Sequence, residues 1–173
     1  MPIPILVAYA TKAGSTREVA ESIAQTLRGE GLAVDVLPAK EVSALDKYQA
    51  VILGAPLYLF RWHKDAHKFL GRHRGSFNRL PLAIFALGPW NNKEEELQSA
   101  RDQLAKELAR YPWLRPLDTT VFVGRFDPAK LTFPYSWIPA MKNMPAQDDR
   151  DWDAIQTWAA DMAARLHEPV PAN

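Results

Sequence analysis

Two patterns of apolar residues alternate along this chain. Short, almost unbroken apolar runs are separated by longer stretches in which apolar residues recur every three or four positions. The runs occupy 5–10 (Ile5, Leu6, Val7, Ala8, Tyr9, Ala10), 33–37, 50–55, 81–87 and 119–123. Runs of this length without polar alternation predict strands buried on both faces of a parallel sheet. Between them, 16–28 places Val19, Ala20, Ile23, Ala24 and Leu27 on one helical face. The stretch 65–74 does the same with Ala66, Phe69 and Leu70. The stretch 94–111 aligns Leu97, Ala100, Leu104, Ala105 and Leu108, and 151–166 aligns Trp152, Ile155, Trp158, Ala159, Met162 and Leu166. Residues 42–45 make at most a short helix. Strand and helix thus alternate throughout, which predicts an α/β class fold, a doubly wound αβα sandwich around a five-stranded parallel sheet. The length of 173 residues fits one domain, expected over 1–168, with a frayed Pro-rich tail at 169–173.

Ligands of such sheets bind at the carboxyl ends of the strands. That rule points to three loops: 11–16, 56–63 and 88–92. The first, Thr11-Lys12-Ala13-Gly14-Ser15-Thr16, leads from the first strand into the first helix. Its hydroxyls can donate, its glycine permits a tight turn, and the helix N-terminus offers unpaired N–H groups to an anion. It lacks the lysine-bearing loop of nucleoside triphosphatases and the G-x-G-x-x-G of dinucleotide sites. A monophosphate fits best, and flavin mononucleotide (FMN) is the candidate. The same loop also reads as an ordinary strand-to-helix turn capped by Ser15 or Thr16. The second loop holds Tyr58, Phe60 and Trp62, and the third holds Trp90. Flat apolar groups are what an isoalloxazine ring stacks against. The expected cofactor site is therefore Thr11, Lys12, Ala13, Gly14, Ser15 and Thr16 with Pro56, Leu57, Tyr58, Leu59, Gly88, Pro89, Trp90 and Asn91. Tyr58 and Trp90 are the stacking candidates, and Trp62 is a substitute.

Composition narrows the chemistry. The absence of cysteine excludes disulfides, thiolate metal sites and cysteine nucleophiles. The four histidines form no metal motif, and no metal is expected. No run is long enough to span a membrane and no signal peptide is read, so the expected location is cytoplasmic. Net charge is +1, but 61–79 carries Arg61, Lys64, Lys68, Arg72, Arg74 and Arg79 against Asp65 alone. This is either a solvated helix face or a surface for anionic partners, such as a carboxylate-bearing substrate or acidic lipid at the cytoplasmic face. No nucleic-acid motif is present. Residues 126–147 carry Pro128, Pro134, Pro139 and Pro145, which oppose a long helix. They also carry Phe126, Leu131, Phe133, Tyr135, Trp137, Ile138, Met141 and Met144. As a structureless loop these would pack on the sheet edge, or form a lid, a docking face or a shallow membrane contact.

Thr11 to Thr16, and the spacing from Gly54 to Tyr58, resemble the phosphate loop and stacking position of the flavodoxin family. The likeness covers nearly the whole chain. It implies FMN, a three-layer flavodoxin-like fold with strand order 2-1-3-4-5, and an insertion after the fifth strand. Length, that insertion and Asp149-Arg150-Asp151-Trp152-Asp153-Ala154-Ile155 are similar to the group that includes menaquinone-dependent protoporphyrinogen IX dehydrogenase. Where that group reads Ser-Ile-Arg-Tyr-Gly, this chain has Pro56-Leu57-Tyr58-Leu59-Phe60. The resemblance implies an FMN-dependent oxidoreductase that oxidises a hydrophobic, anionic small molecule, as in porphyrin biosynthesis, and passes electrons to a quinone. The alternative is a soluble electron-carrier flavodoxin serving a redox partner protein. Carriers are strongly acidic, and this near-neutral chain favours the enzyme. No catalytic side chain is named, because flavin chemistry is mostly the cofactor's own.

Overall fold

The computed structural model describes residues 2–59, 61–130 and 137–167. Phe60, residues 131–136 (with Leu131, Phe133, Pro134 and Tyr135) and the tail lie outside the described residues, as does the side chain of Met141. Five strands run parallel: β1 (Ile5–Tyr9), β2 (Val34–Pro38), β3 (Ala50–Tyr58), β5 (Leu82–Leu87) and β6 (Asp118–Phe122). Their order is β2-β1-β3-β5-β6. This is the expected order, with the addition of a short β4 (Arg61–Trp62) that pairs antiparallel with the end of β3. The helices are α1 (Ser15–Gly29), α2 (Lys64–Arg72), α3 (Glu94–Leu108), α4 (Pro139–Lys142) and α5 (Trp152–His167).

Each parallel strand feeds two cores, because successive side chains point to opposite faces. On one face Leu6, Ala8, Val51, Leu53 and Ile84 meet Phe69 and Leu70 of α2 and Leu104 of α3. On the other, Val7, Ile52, Phe85 and Leu87 meet Val19, Ile23 and Leu27 of α1 and Ile155, Ala159 and Met162 of α5. Helices on both faces explain why the strands read as continuous apolar runs. Gly54 is required by close approach, since a Cβ there would fall inside the Phe85 ring.

Several expectations need correcting. Residues 42–45 form no helix; a single 3₁₀ turn lies just upstream, at Ala39–Glu41. The third strand continues three residues past Ala55, through Pro56, and pairs there with both β4 and β5. Helix α3 ends at Leu108, and its inner face is less apolar than expected. Ala105 is exposed, and the carboxylate-bearing Glu107 is buried instead. Trp152 is exposed, with the Arg150 guanidinium 4.7 Å from its ring centre. The insertion is not structureless: β7 (Arg125–Phe126) and β8 (Gln147–Asp148) pair antiparallel at its two ends, and α4 lies between them.

Candidate functional site

A cleft of about 500 Å³ opens at the carboxyl ends of the central strands. Leu57, Tyr58 and Leu59 form one wall, and Gly88, Pro89, Trp90 and Asn91 form another. Ala13 contributes from the loop after β1. The sequence-predicted residues outside the lining are Thr11, Lys12, Gly14, Ser15, Thr16 and Pro56. The first five make the adjoining turn, and Pro56 is buried behind the wall.

The turn at 11–16 presents features that an anion could use. Gly14 adopts φ 88°, a left-handed conformation that glycine takes without strain. Its N–H donates to Thr11 Oγ1 at 2.8 Å, which closes the loop on itself. Gly14 also occupies the N-cap of α1, and no side chain caps the helix. The reading of Ser15 or Thr16 as a cap is therefore wrong: both are already inside the first turn, and both are buried. Thr16 Oγ1 is buried and has no hydrogen-bond partner among the described residues. A buried hydroxyl without a partner costs about 1–3 kcal/mol, so this one is a donor open to a ligand acceptor. The only acid in this first turn is Glu18, which would repel an anion if bare. Arg125 holds it at 3.2 Å and Arg150 at 2.8 Å. Arg150, with 3% of its side chain exposed, also grips both oxygens of Asp148 at 2.8 and 2.7 Å. That bidentate bond holds the Asp148 carboxyl below its ordinary pKa and raises the guanidinium's.

The second loop is the tip of the β3–β4 hairpin. Tyr58 is half-buried, and Lys12 Nζ stands 5.1 Å from its ring centre. Leu59 is 65% exposed with φ 44°, a strained value for a side chain branched at Cγ. Trp62 does not face the cleft. It is buried, and its indole N–H donates to Ala55 O at 3.1 Å, so it is core and no substitute for stacking. The third loop is pinned to the strand beside it. Gly88 N–H donates to Phe122 O and Gly124 N–H to Pro89 O, each at 2.8 Å. Asn91 turns toward α3, accepting from Lys93 N–H and donating to Glu96 Oε2 at 3.0 Å each.

Two further walls complete the cleft: the α3 wall, which the sequence does not foretell, and the insertion, for which a lid is only one of several expectations. Glu96, Ser99, Ala100 and Gln103 of α3 line the cleft, as do Arg125, just ahead of the insertion, and Phe126, Asp127, Met144 and Gln147 within it. The α3 residues recur at helical spacing beside the apolar stripe, which was the available signal. The apolar content of the insertion was the signal there, but its placement was not legible, because only β7–β8 pairing brings both ends of the 22-residue segment to one place. Of the basic stretch, Arg61 lies in the hairpin beside Tyr58, and none of the α2 cations lines the cleft.

Residues 6–150 match the family model described as a flavodoxin domain. The protoporphyrinogen IX dehydrogenase (quinone) of Escherichia coli strain K12 is 23% identical over 181 positions, covering 95% of this chain and 97% of that protein. Among solved structures, a flavodoxin mutant from Pseudomonas aeruginosa superposes with a TM-score of 0.60 at 15% identity, over 95% of this chain and 99% of the other. A flavodoxin from the domain Archaea gives 0.59 at 14%, over 95% and 99%.

Proposed function

We propose that this chain, which belongs to the flavodoxin domain family and is an FMN flavoprotein of oxidoreductase type, is an enzyme that oxidises a hydrophobic, anionic small molecule and delivers the electrons to a quinone. The FMN phosphate is taken up at 11–16, where Thr16 Oγ1 donates to it together with the first N–H groups of α1. The isoalloxazine enters between Tyr58 and the 88–91 loop. Bound there, FMN supplies the capacity to accept electrons from one molecule and pass them to another.

The observation that carries the enzyme reading is the wall added by the insertion. Arg125, Phe126, Asp127 and Met144 extend the cleft beyond the loops that a flavin alone needs. A carrier that touches its partners through an exposed flavin edge has no use for such an extension. The lining is largely apolar and carries the Arg125 guanidinium beside the Glu96 and Asp127 carboxylates, a combination suited to an apolar molecule with polar groups at its edge. The exposed Trp137 and Ile138 beside α4 suit a shallow contact with the lipid surface in which quinones reside. The relative's printed name, with its porphyrinogen substrate and quinone acceptor, supports the same reaction class.

The test is anaerobic turnover of the FMN-loaded protein with quinones, using a porphyrinogen as the reductant. Quinone reduction that slows when Trp137 and Ile138 are made polar, with FMN retained, is the expected result. Electron exchange with a reductase but no quinone turnover would establish the carrier instead. Tyr58→Leu checks the stacking placement: flavin fluorescence, quenched in the parent, should be partly recovered.

A further inference from the structure

Glu107 occupies a costly place. It is 5% exposed, and it lies in the last turn of α3, where the helix dipole opposes a negative charge. A carboxylate persists there only if strongly held. Oε2 accepts from His67 Nε2 at 2.6 Å and from Trp62 N–H at 3.2 Å. Oε1 accepts from Gln103 Nε2 at 3.5 Å and lies 3.7 Å from the Arg110 guanidinium. Burial pushes its pKa up, but the bonds from His67 and Trp62 and the Arg110 charge outweigh that and hold it below the ordinary carboxylate value. His67 is held in turn. Its Nδ1 meets Tyr111 Oη at 2.5 Å, and its ring stands edge-on to Trp62. The carboxylate only accepts, so His67 donates from Nε2, and in the neutral ring Nδ1 accepts a hydrogen bond from the Tyr111 O–H.

Two bonds of this cluster, from Trp62 N–H and from Gln103, lead to supports of the cleft. Trp62 pairs with Leu57 across the hairpin, and Arg61 with Tyr58. Glu107 fixes the Trp62 backbone while Ala55 O fixes its indole. The hairpin base is thereby clamped while its tip holds Leu59 in a strained conformation. Such strain persists only when the surroundings over-determine it. Gln103, from the α3 wall, is bonded to the other oxygen of the same carboxylate. We infer that Glu107 is a positioning residue of the cofactor site, setting through Trp62 and Gln103 the separation of the hairpin wall from the α3 wall of the cleft that the flavin ring enters. This rests on the placement of FMN in that cleft.

The test compares Glu107→Leu with Glu107→Gln, which keeps an acceptor for Trp62 N–H. Two readouts are taken: amide hydrogen exchange of the hairpin in the flavin-free chain, and FMN affinity with the flavin's reduction potential. Glu107→Leu should speed exchange at Trp62 and raise the FMN Kd at least about tenfold with a shifted potential. Glu107→Gln should restore both most of the way. If Glu107→Leu does not fold, His67→Leu replaces it, with about a fivefold loss expected. A folded variant with unchanged hairpin exchange, or with faster exchange but unchanged affinity and potential, overturns the inference. Failure of the parent protein to take up FMN, with hairpin exchange still responding to Glu107, would instead remove the flavin placement and leave the clamp.

Discussion

Trp90 lies against Phe126 with ring centroids 4.3 Å apart and planes tilted by 34°. One residue belongs to the loop after β5 and the other to β7, at the entry to the insertion. The contact makes the two walls mechanically one, and it occupies ring surface on Trp90 that an isolated loop would leave for a ligand.

Phe126 is 3% exposed, so Phe126→Ala removes a buried ring. The expected loss is about 3 kcal/mol, toward the low end for such changes because the cleft side can relax. Urea unfolding of the flavin-free protein measures it. FMN affinity should fall as well, since Trp90 loses its backing. Unchanged affinity would dissociate the insertion from the flavin site.

Thr16→Val should act with opposite signs on the two forms. It removes the partnerless buried hydroxyl at constant shape, which stabilises the flavin-free protein by about 1 kcal/mol. It also deletes a donor to the phosphate, so FMN binding weakens by about tenfold or more. Thermal unfolding without FMN and titration with FMN give the two numbers. A destabilised apoprotein that binds FMN normally would mean that the hydroxyl serves the fold.

Leu59→Gly relieves the left-handed strain at φ 44°. That strain is worth about 1–2 kcal/mol, partly offset by the freedom glycine gains in the unfolded chain. A net stabilisation of about 0.5–1 kcal/mol is expected, seen as a small rise in Tm. A lower Tm would show that the leucine side chain packs favourably at the hairpin tip.

His63 should make stability depend on pH. Its Nδ1 accepts from Asp65 N–H at 3.1 Å and so caps α2, which only the neutral ring can do. Burial depresses its pKa below the ordinary 6.5, Asp65 opposes that, and Lys12 and Lys64 reinforce it. The folded state therefore favours the neutral form. Its contribution is fully present above about pH 6.5 and is lost as pH falls through the depressed value. Urea midpoints taken at about pH 7.5 and 5 should differ, and His63→Asn, a cap that does not titrate, should reduce the difference. Part of the slope remains with His73, likewise depressed by burial. Identical slopes in parent and variant would exclude His63 as the source.

Much of the architecture was written in local pattern. Continuous apolar runs specify strands covered on both faces, and the helical stripes of 16–28 and 151–166 specify what covers one of them. Val19, Ile23, Ile155 and Met162 are buried as that spacing requires. The turn at 11–16 was equally legible, since a glycine among hydroxyls at a strand–helix junction is a local device. Ending the third strand at residue 55 fell short because β3 keeps its pairing with β5 through Pro56 and gains its last two pairs from β4, a partner only two residues long.

What the chain determined alone was therefore the element order, the two-faced sheet and the glycine-containing, hydroxyl-bearing turn at 11–16. These depend on neighbours within a few positions, where propensity and periodicity act. Tertiary structure decided the rest of the cleft. It turned Trp62 inward by giving its indole the Ala55 carbonyl, and it placed Phe126 on Trp90. It also buried Glu107 among His67, Trp62 and Gln103, an acid that a helical pattern assigns to solvent. Each of these is a pairing between residues distant in sequence, whose energy exists only once burial removes the competing water.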